Sequence, residues 1–286
     1  MNAKKIKSIV KKQLIQGQDI LNKKLGIAVF PTPLTKKVNS NFNEEPLINT
    51  YLRELAPLEN YTIDIAAGDG VTMSNTYALF KKGYKGLGVE FDAHKFYRLA
   101  FNYRNFSEVQ LAKCMVTPLN ILSLFAGYQV PEKPGFLSLD IDGYDHFVLD
   151  VLLSKYRPTL ICVEINEKIP PPIKFTVKFD PSYRWVEDHF YGQSISQLHT
   201  LCEKYKYSLI NLHYNNAFLV PSELNYGKAL SPEEAYSQGY LNKKDRKQKF
   251  PYNSNLEILH NMKPIEAKEH LNQFFQKYKE KFIISI

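Results

Sequence analysis

The 286-residue chain lacks the features that mark several broad protein classes. No apolar run approaches the ~20 residues that a membrane-spanning helix needs. The lysine-rich N-terminus has neither the apolar block nor the small-residue cleavage site of a signal peptide. Cysteine is scarce: Cys114, Cys162 and Cys202 are far apart and odd in number. That argues against a disulfide framework and for reduced thiols in a cytoplasmic protein. Cys114 and Cys162 fall within predicted strands, where cysteine behaves as a small hydrophobe. There is no internal repeat. Core-forming material is ample, at 44% hydrophobic and 13% aromatic residues, enough for one large domain or a domain with appendages.

A net charge of +8 suggests a nucleic-acid partner until it is divided along the chain. Residues 1–37 hold nine lysines and one acid, Asp19, while 228–286 hold eleven basic and seven acidic groups. The body between them is left at −4. The basic charge therefore sits in the extensions, where it attracts a membrane surface, RNA or an acidic glycan, or keeps a helix face solvated. Over 4–25, Ile6, Ile9, Val10, Leu14, Ile20 and Leu21 recur at helical spacing among lysines. An amphipathic helix is predicted there, docking on the body or a partner more readily than on a membrane, since it has no aromatic anchor. Pro31 and Pro33 break the helix, and 31–46 reads as a linker or a loop over a cofactor. The expected organisation is a basic helix and linker (1–46), a body (47–222) and a helical C-terminal extension (223–286). The sequence leaves open whether the chain forms a homo-oligomer.

Seven runs in the body read as strands: 62–67, 86–90, 109–116, 135–141, 159–165, 208–213 and 217–220. Helical patterns fill 47–58, 72–82, 93–104, 118–127, 144–155 and 193–206. This alternation predicts a parallel sheet with helices on both faces, an α/β Rossmann-like fold. Only Tyr214, Asn215 and Asn216 separate the last two runs, with Asn215-Asn216 read as the turn. Two residues close an antiparallel hairpin but not a parallel crossover. The expectation is a seven-stranded sheet with six parallel strands and one antiparallel strand near an edge. Beyond it, 222–286 reads as a polar loop, helices over 254–262 and 264–280, and a strand-like run from Phe282.

The first strand leads into Asp64-Ile65-Ala66-Ala67-Gly68-Asp69-Gly70. Small residues there let the backbone approach a ligand closely. A dinucleotide fingerprint would have a third glycine where Met73 stands, so a pyrophosphate is not obviously catered for. The second strand ends in Glu90-Phe91-Asp92, about 20 residues on, where an acid accepts hydrogen bonds from both ribose hydroxyls. Glu90 is the expected ribose ligand and Asp92 a helix cap.

The fourth strand ends in Asp140-Ile141-Asp142-Gly143-Tyr144-Asp145-His146 and the fifth in Glu164-Ile165-Asn166. A period of two puts Asp140 and Asp142 on one face, and adjacent strands bring Glu164 and Asn166 to them. Carboxylates so placed imply a cation or a shared proton, and an all-oxygen set suits Mg²⁺ better than zinc. Alternatively, they cap helices and bind substrate hydroxyls without metal. Asp142 or His146 is the candidate general base, although His146 is placed to pair with Asp142 or Asp150 instead.

Further along, Val116-Thr117-Pro118-Leu119-Asn120, the LSLDIDGYDHFVL run, RPTLICVEIN with its trailing prolines, Tyr191-Gly192-Gln193-Ser194 and Asn216-Ala217-Phe218-Leu219-Val220 join these motifs. Together they resemble class I S-adenosylmethionine-dependent methyltransferases, in an FkbM-related branch, over roughly 60–222. The resemblance implies S-adenosyl-L-methionine with its methionine part on Ala66, Gly68 and Gly70 and its amino end on Asp64 or Asp69. Glu90 would hold the ribose, with Phe91 and Asp140 beside the cofactor. Asp140, Glu164 and Asn166 would hold a metal or the acceptor's hydroxyls, and Asp142 or His146 would act as base. The activity implied is O-methylation of a small polyhydroxylated acceptor, such as a sugar in glycan biosynthesis or a natural product.

Two departures stand out: Ala66-Ala67 replaces the more usual glycine, and His146 stands where an aromatic is common. The loop Pro170-Pro171-Pro172 with Tyr183, Arg184, Trp185, His189 and Tyr191 is expected to wall the acceptor side. Two other readings are a methyltransferase that docks RNA or protein through the basic tails, and a catalytically silent nucleoside-binding protein.

Overall fold

The computed structural model describes residues 39–286, which belong to one compact unit. The helix expected over 4–25 and the first half of the 31–46 linker (31–38) lie outside the described residues. In chain order the regular elements are α1 (Glu45–Leu55), β1 (Tyr61–Ile65), α2 (Tyr77–Lys81), β2 (Lys85–Glu90), α3 (Ala93–Tyr103), β3 (Val109–Lys113), α4 (Ile121–Gly127), β4 (Phe136–Leu139) and α5 (Asp145–Leu153). Then follow β5 (Leu160–Glu164), β6 (Lys174–Val177), α6 (Ile195–Tyr205), β7 (Tyr207–His213), β8 (Asn216–Pro221), α7 (Pro232–Tyr236), α8 (Arg246–Lys249), α9 (Pro264–Phe274) and β9 (Phe282–Ser285).

Seven of these strands form one sheet in the order β3-β2-β1-β4-β5-β8-β7. Pairing is parallel from β3 to β5, whereas β8 is antiparallel to both β5 and β7. The reversed strand thus lies one position in from the edge, as the two-residue turn required. This is the Rossmann-like α/β sheet expected from the sequence.

Period-two alternation explains how the sheet buries both faces. Ile63, Ile65, Leu87, Val89, Leu137, Leu139, Ile161 and Val163 pack with Phe125 of α4, Leu152 of α5 and Leu198 of α6. Their neighbours Phe136, Leu160, Cys162, Phe218 and Val220 pack with Ile48 and Leu52 of α1 and Leu79 of α2. Cys162 is a buried free thiol within this layer. Among the described residues no helix is long and apolar enough to cross a membrane.

Three elements differ from expectation. The helix predicted over 72–82 shrinks to α2 because side chains take the preceding backbone N–H groups. Asp69 Oδ1 accepts from Val71 N and Thr72 N, and Ser74 Oγ accepts from Thr76 N and Tyr77 N. The second is a small sheet in which β6 pairs antiparallel with β9. It gives the segment between β5 and α6 a core shared with the C-terminal extension. Ile169, Ile173, Phe175, Val177 and Phe190 pack there with Leu256, Leu259, Leu271 and Phe275. Phe190 stacks on Tyr278 at a centroid distance of 3.9 Å. The helix expected over 254–262 is a 3-10 helix, Pro251–Asn261.

Candidate active site

The C-terminal ends of β1, β2 and β4 open into a cleft of about 410 Å³, the position at which parallel α/β sheets bind ligands. At one end Glu90 is buried and joins two loops. Its Oε2 accepts from Gly68 N and its Oε1 from Asp92 N, both at 2.8 Å. Ala66 (φ 65°) and Gly68 (φ 59°) are in the left-handed region, turning the backbone sharply beneath the cleft. A Cβ at Gly68 would have nothing within 4 Å, so the backbone there is open to a ligand.

Asp64, Ala66, Gly68, Glu90, Phe91, Asp140 and Asp142 all line this cleft, as do Met115 and Val116 after β3. Asp64 accepts the Thr76 hydroxyl at 2.5 Å, and its burial pushes the carboxyl up to about 6. Phe91 is half-exposed, with the Arg184 guanidinium 5.5 Å from its ring centroid.

Asp69 and Gly70 do not line the cleft among these residues. The Asp69 carboxylate turns back to cap its own loop, accepting also from Thr72 Oγ1 at 2.9 Å. Gly70 (φ 78°) packs on α3, where an added Cβ would meet Leu99 Cδ1 at 2.5 Å and Tyr103 Cε1 at 2.6 Å. Its role is close helix packing.

At the other end carboxylates converge. Ligand-type oxygens of Asp140, Asp142 and Glu164 lie within 4.8 Å of one another. Asp140 and Glu164 stand side by side at the ends of the paired strands β4 and β5. Burial, then repulsion from Asp140 and Asp142, pushes Glu164 well up. Burial, then Asp140 and Asp145, pushes Asp142 up to about 8. Asp142 has φ 52°, and the turn carrying it is held by Asp145, whose carboxylate accepts from Ile141 N at 2.9 Å and Gly143 N at 3.0 Å.

Two expected members are elsewhere. Asn166 is fully buried and donates from Nδ2 to His189 O (2.9 Å) and Tyr191 O (3.0 Å). Past Glu164 the backbone leaves the sheet, Asn166 N donating to Gln193 O, so strand alternation no longer governs its direction. Asp142 occupies the place beside Asp140 and Glu164 instead. His146 sits on α5 with Nδ1 3.0 Å from Gln193 Oε1 and Nε2 3.1 Å from Gln197 Nε2. It faces α6, not the cleft lining, and burial lowers its pKa.

Tyr183, Arg184 and Trp185 line the cleft as expected of an acceptor wall. His189 and Tyr191 do not. Pro170 and Pro171 face a second cavity of about 230 Å³ against the C-terminal extension, and His213 Nε2 contacts Phe42 O at 2.8 Å.

Sequence reasoning missed several residues. Asn215, taken only for a turn, donates from Nδ2 to Glu164 Oε1 at 2.6 Å. Lys95 lines the cleft, and its charge lowers Asp140 and Asp142 against the effect of burial. Glu167 and Lys168 are buried together at 3.3 Å, bridged by the Tyr191 hydroxyl. A Glu-Lys dipeptide between Ile-Asn and a proline run was the available signal.

No protein-family model matches the chain, and no curated protein matches it. Solved structures with a similar chain path include the N-terminal domain of EvdMO1 with SAH bound (12% identity, 64% of this chain and 82% of that chain, TM-score 0.43). The same domain in the presence of SAH and D-fucose matches at 11% identity over 71% of this chain and 95% of that one, TM-score 0.44. A S-adenosylmethionine-dependent methyltransferase from Clostridium acetobutylicum ATCC 824 matches at 10% identity over 72% and 98%, TM-score 0.42. These likenesses are too distant to assign an activity.

Proposed function

We propose that the chain is a class I, FkbM-related S-adenosylmethionine-dependent O-methyltransferase acting on a hydroxyl of a small polyhydroxylated, sugar-like acceptor. The observation that carries this reading is a single cleft lined at one end by Glu90 and Gly68 and at the other by Asp140 and Asp142. A nucleoside cofactor needs an acceptor for its ribose hydroxyls and a backbone free of side chain, which Glu90 and Gly68 offer. Apolar Met115 and Val116 suit a base beside them.

Bound S-adenosylmethionine supplies a sulfonium methyl, whose C–S bond breaks as the bond to the acceptor oxygen forms and the hydroxyl proton leaves. The chain has to align that oxygen and take the proton. Asp142 faces the cleft and is the proposed base. Asp140 and Glu164, which with Asp142 bring oxygen donors within 4.8 Å of one another, fit a divalent cation such as Mg²⁺. A cation there would orient acceptor hydroxyls and lower their pKa.

Isothermal titration tests the reading with S-adenosylmethionine and, as a control, NAD. Binding of the former and not the latter is expected. Failure to bind S-adenosylmethionine, with and without Mg²⁺, would overturn it.

A further inference from the structure

Building on the methyl-transfer reading, we infer that the C-terminal extension completes the acceptor subsite, with Tyr252 and Trp185 as two aromatic walls for a pyranose ring. Tyr252 is 58% exposed although both flanks are anchored. Phe250 is buried, with ring centroids 5.0 Å from Phe42 and 5.6 Å from Tyr240. Asn253 is buried and donates to Glu167 Oε1 at 2.6 Å and to the Tyr240 hydroxyl at 3.0 Å. An exposed ring between two fixed neighbours loses little freedom on binding a ligand, which makes it a good anchor.

Trp185 is 38% exposed, lines the cleft, and donates from Nε1 to Asp188 O at 2.8 Å. A continuous set of contacts joins the two walls. The Trp185 and Tyr191 ring centroids are 5.6 Å apart, and Lys168 Nζ lies 4.1 Å from the Tyr191 centroid and 5.8 Å from that of Tyr252. The Lys168 ammonium is already engaged by Glu167 and the Tyr191 hydroxyl, so it acts as a fixed support. Partial burial, with the charges of Glu167, Glu164 and Asp142, pushes the Tyr252 hydroxyl up.

A pyranose has C–H faces that pack on aromatic rings and hydroxyls at its edge for carboxylates to accept. Walls this open suit a hydrated sugar, whereas a flat apolar acceptor would call for an enclosed slot.

Trp185 is the only tryptophan in the chain, so its emission reports on the subsite directly. Full-length protein saturated with S-adenosylhomocysteine is titrated with methyl α-D-glucopyranoside, methyl α-D-galactopyranoside, methyl α-L-fucopyranoside and catechol. At least one pyranoside is expected to change the emission saturably. Tyr252→Ala should raise its Kd roughly tenfold, and Tyr252→Phe, which keeps the ring, by less than roughly twofold. The affinity for S-adenosylhomocysteine should stay constant in both variants, which also certifies their folding. An unchanged pyranoside Kd in Tyr252→Ala, a response to catechol alone, or no response to any pyranoside overturns the inference. Loss of S-adenosylhomocysteine binding by the unsubstituted protein would instead overturn the methyl-transfer reading.

Discussion

The Glu90 carboxylate accepts the Gly68 N–H at 2.8 Å across 22 positions of sequence, while its other oxygen holds Asp92 N. One side chain thus fixes the loops after β1 and β2 and borders the cleft between them. Glu90→Ala would strand two backbone donors, each at a cost of about 1–3 kcal/mol if no water replaces the carboxylate. The expected outcome is a roughly hundredfold or greater loss of S-adenosylhomocysteine affinity by calorimetry, with a lower Tm. Glu90→Gln keeps one acceptor and should fall between. Unchanged affinity in Glu90→Ala would remove Glu90 from the cofactor site.

The two glycines of the same turn should separate binding from stability. Gly70→Ala places a Cβ 2.5 Å from Leu99 Cδ1 at φ 78°, and overpacking with backbone strain should cost about 1–3 kcal/mol. Gly68→Ala meets no atom within 4 Å, so only its left-handed backbone is strained, by roughly 1 kcal/mol. Its methyl enters the cleft, however. Thermal melts should therefore show the larger loss in Gly70→Ala, and calorimetry the larger loss of cofactor affinity in Gly68→Ala. The reverse order would show that the cofactor does not lie on Gly68.

The parts of this architecture legible in the sequence are those set by local rules. A turn this short forces a reversal whatever surrounds it, and β8 is reversed, although the two turn residues are Tyr214 and Asn215 and Asn216 already pairs with His213. Because β4 and β5 are neighbours in register, their ends bring Asp140 and Glu164 together. What was not legible depends on distant partners. Asn166 leaves the strand pattern because its N–H meets Gln193 O, and His146 turns from the cleft because Gln193 and Gln197 hold both its nitrogens. The pairing of β6 with β9 spans about a hundred residues, beyond any local signal. Asp142 joins the acids through a left-handed backbone that Asp145 stabilises, not through strand alternation.

That second small sheet makes the C-terminal extension part of the folding unit. Phe275 is 2% exposed and lies 5.4 Å from Phe175 and 5.3 Å from Phe190 between ring centroids. Phe275→Ala should cost about 3–5 kcal/mol in a denaturant melt. A single transition shifted as a whole is expected. A separate early transition, leaving the main one in place, would show that the extension unfolds by itself.

The carboxylate cluster makes a signed prediction about pH. Burial pushes Asp142 up to about 8 and Asp64 and Asp145 up to about 6, whereas in the unfolded chain such groups ionise near ~4. Between those values the folded protein holds more protons than the unfolded one, so stability falls as pH rises. Asp64 and Asp145 contribute this loss up to about pH 6 and Asp142 up to about pH 8, above which their contribution is flat. The protein without metal should therefore melt lower at about pH 8.5 than at about pH 6, and Asp142→Asn should reduce the difference. A cation between Asp140 and Glu164 competes with protons for these raised carboxyl groups, so millimolar Mg²⁺ should raise Tm more at the higher pH. A Tm that is independent of pH over this range would contradict the raised carboxyl groups. A Tm indifferent to Mg²⁺ at both values would remove the cation and leave the trio to bind acceptor hydroxyls directly.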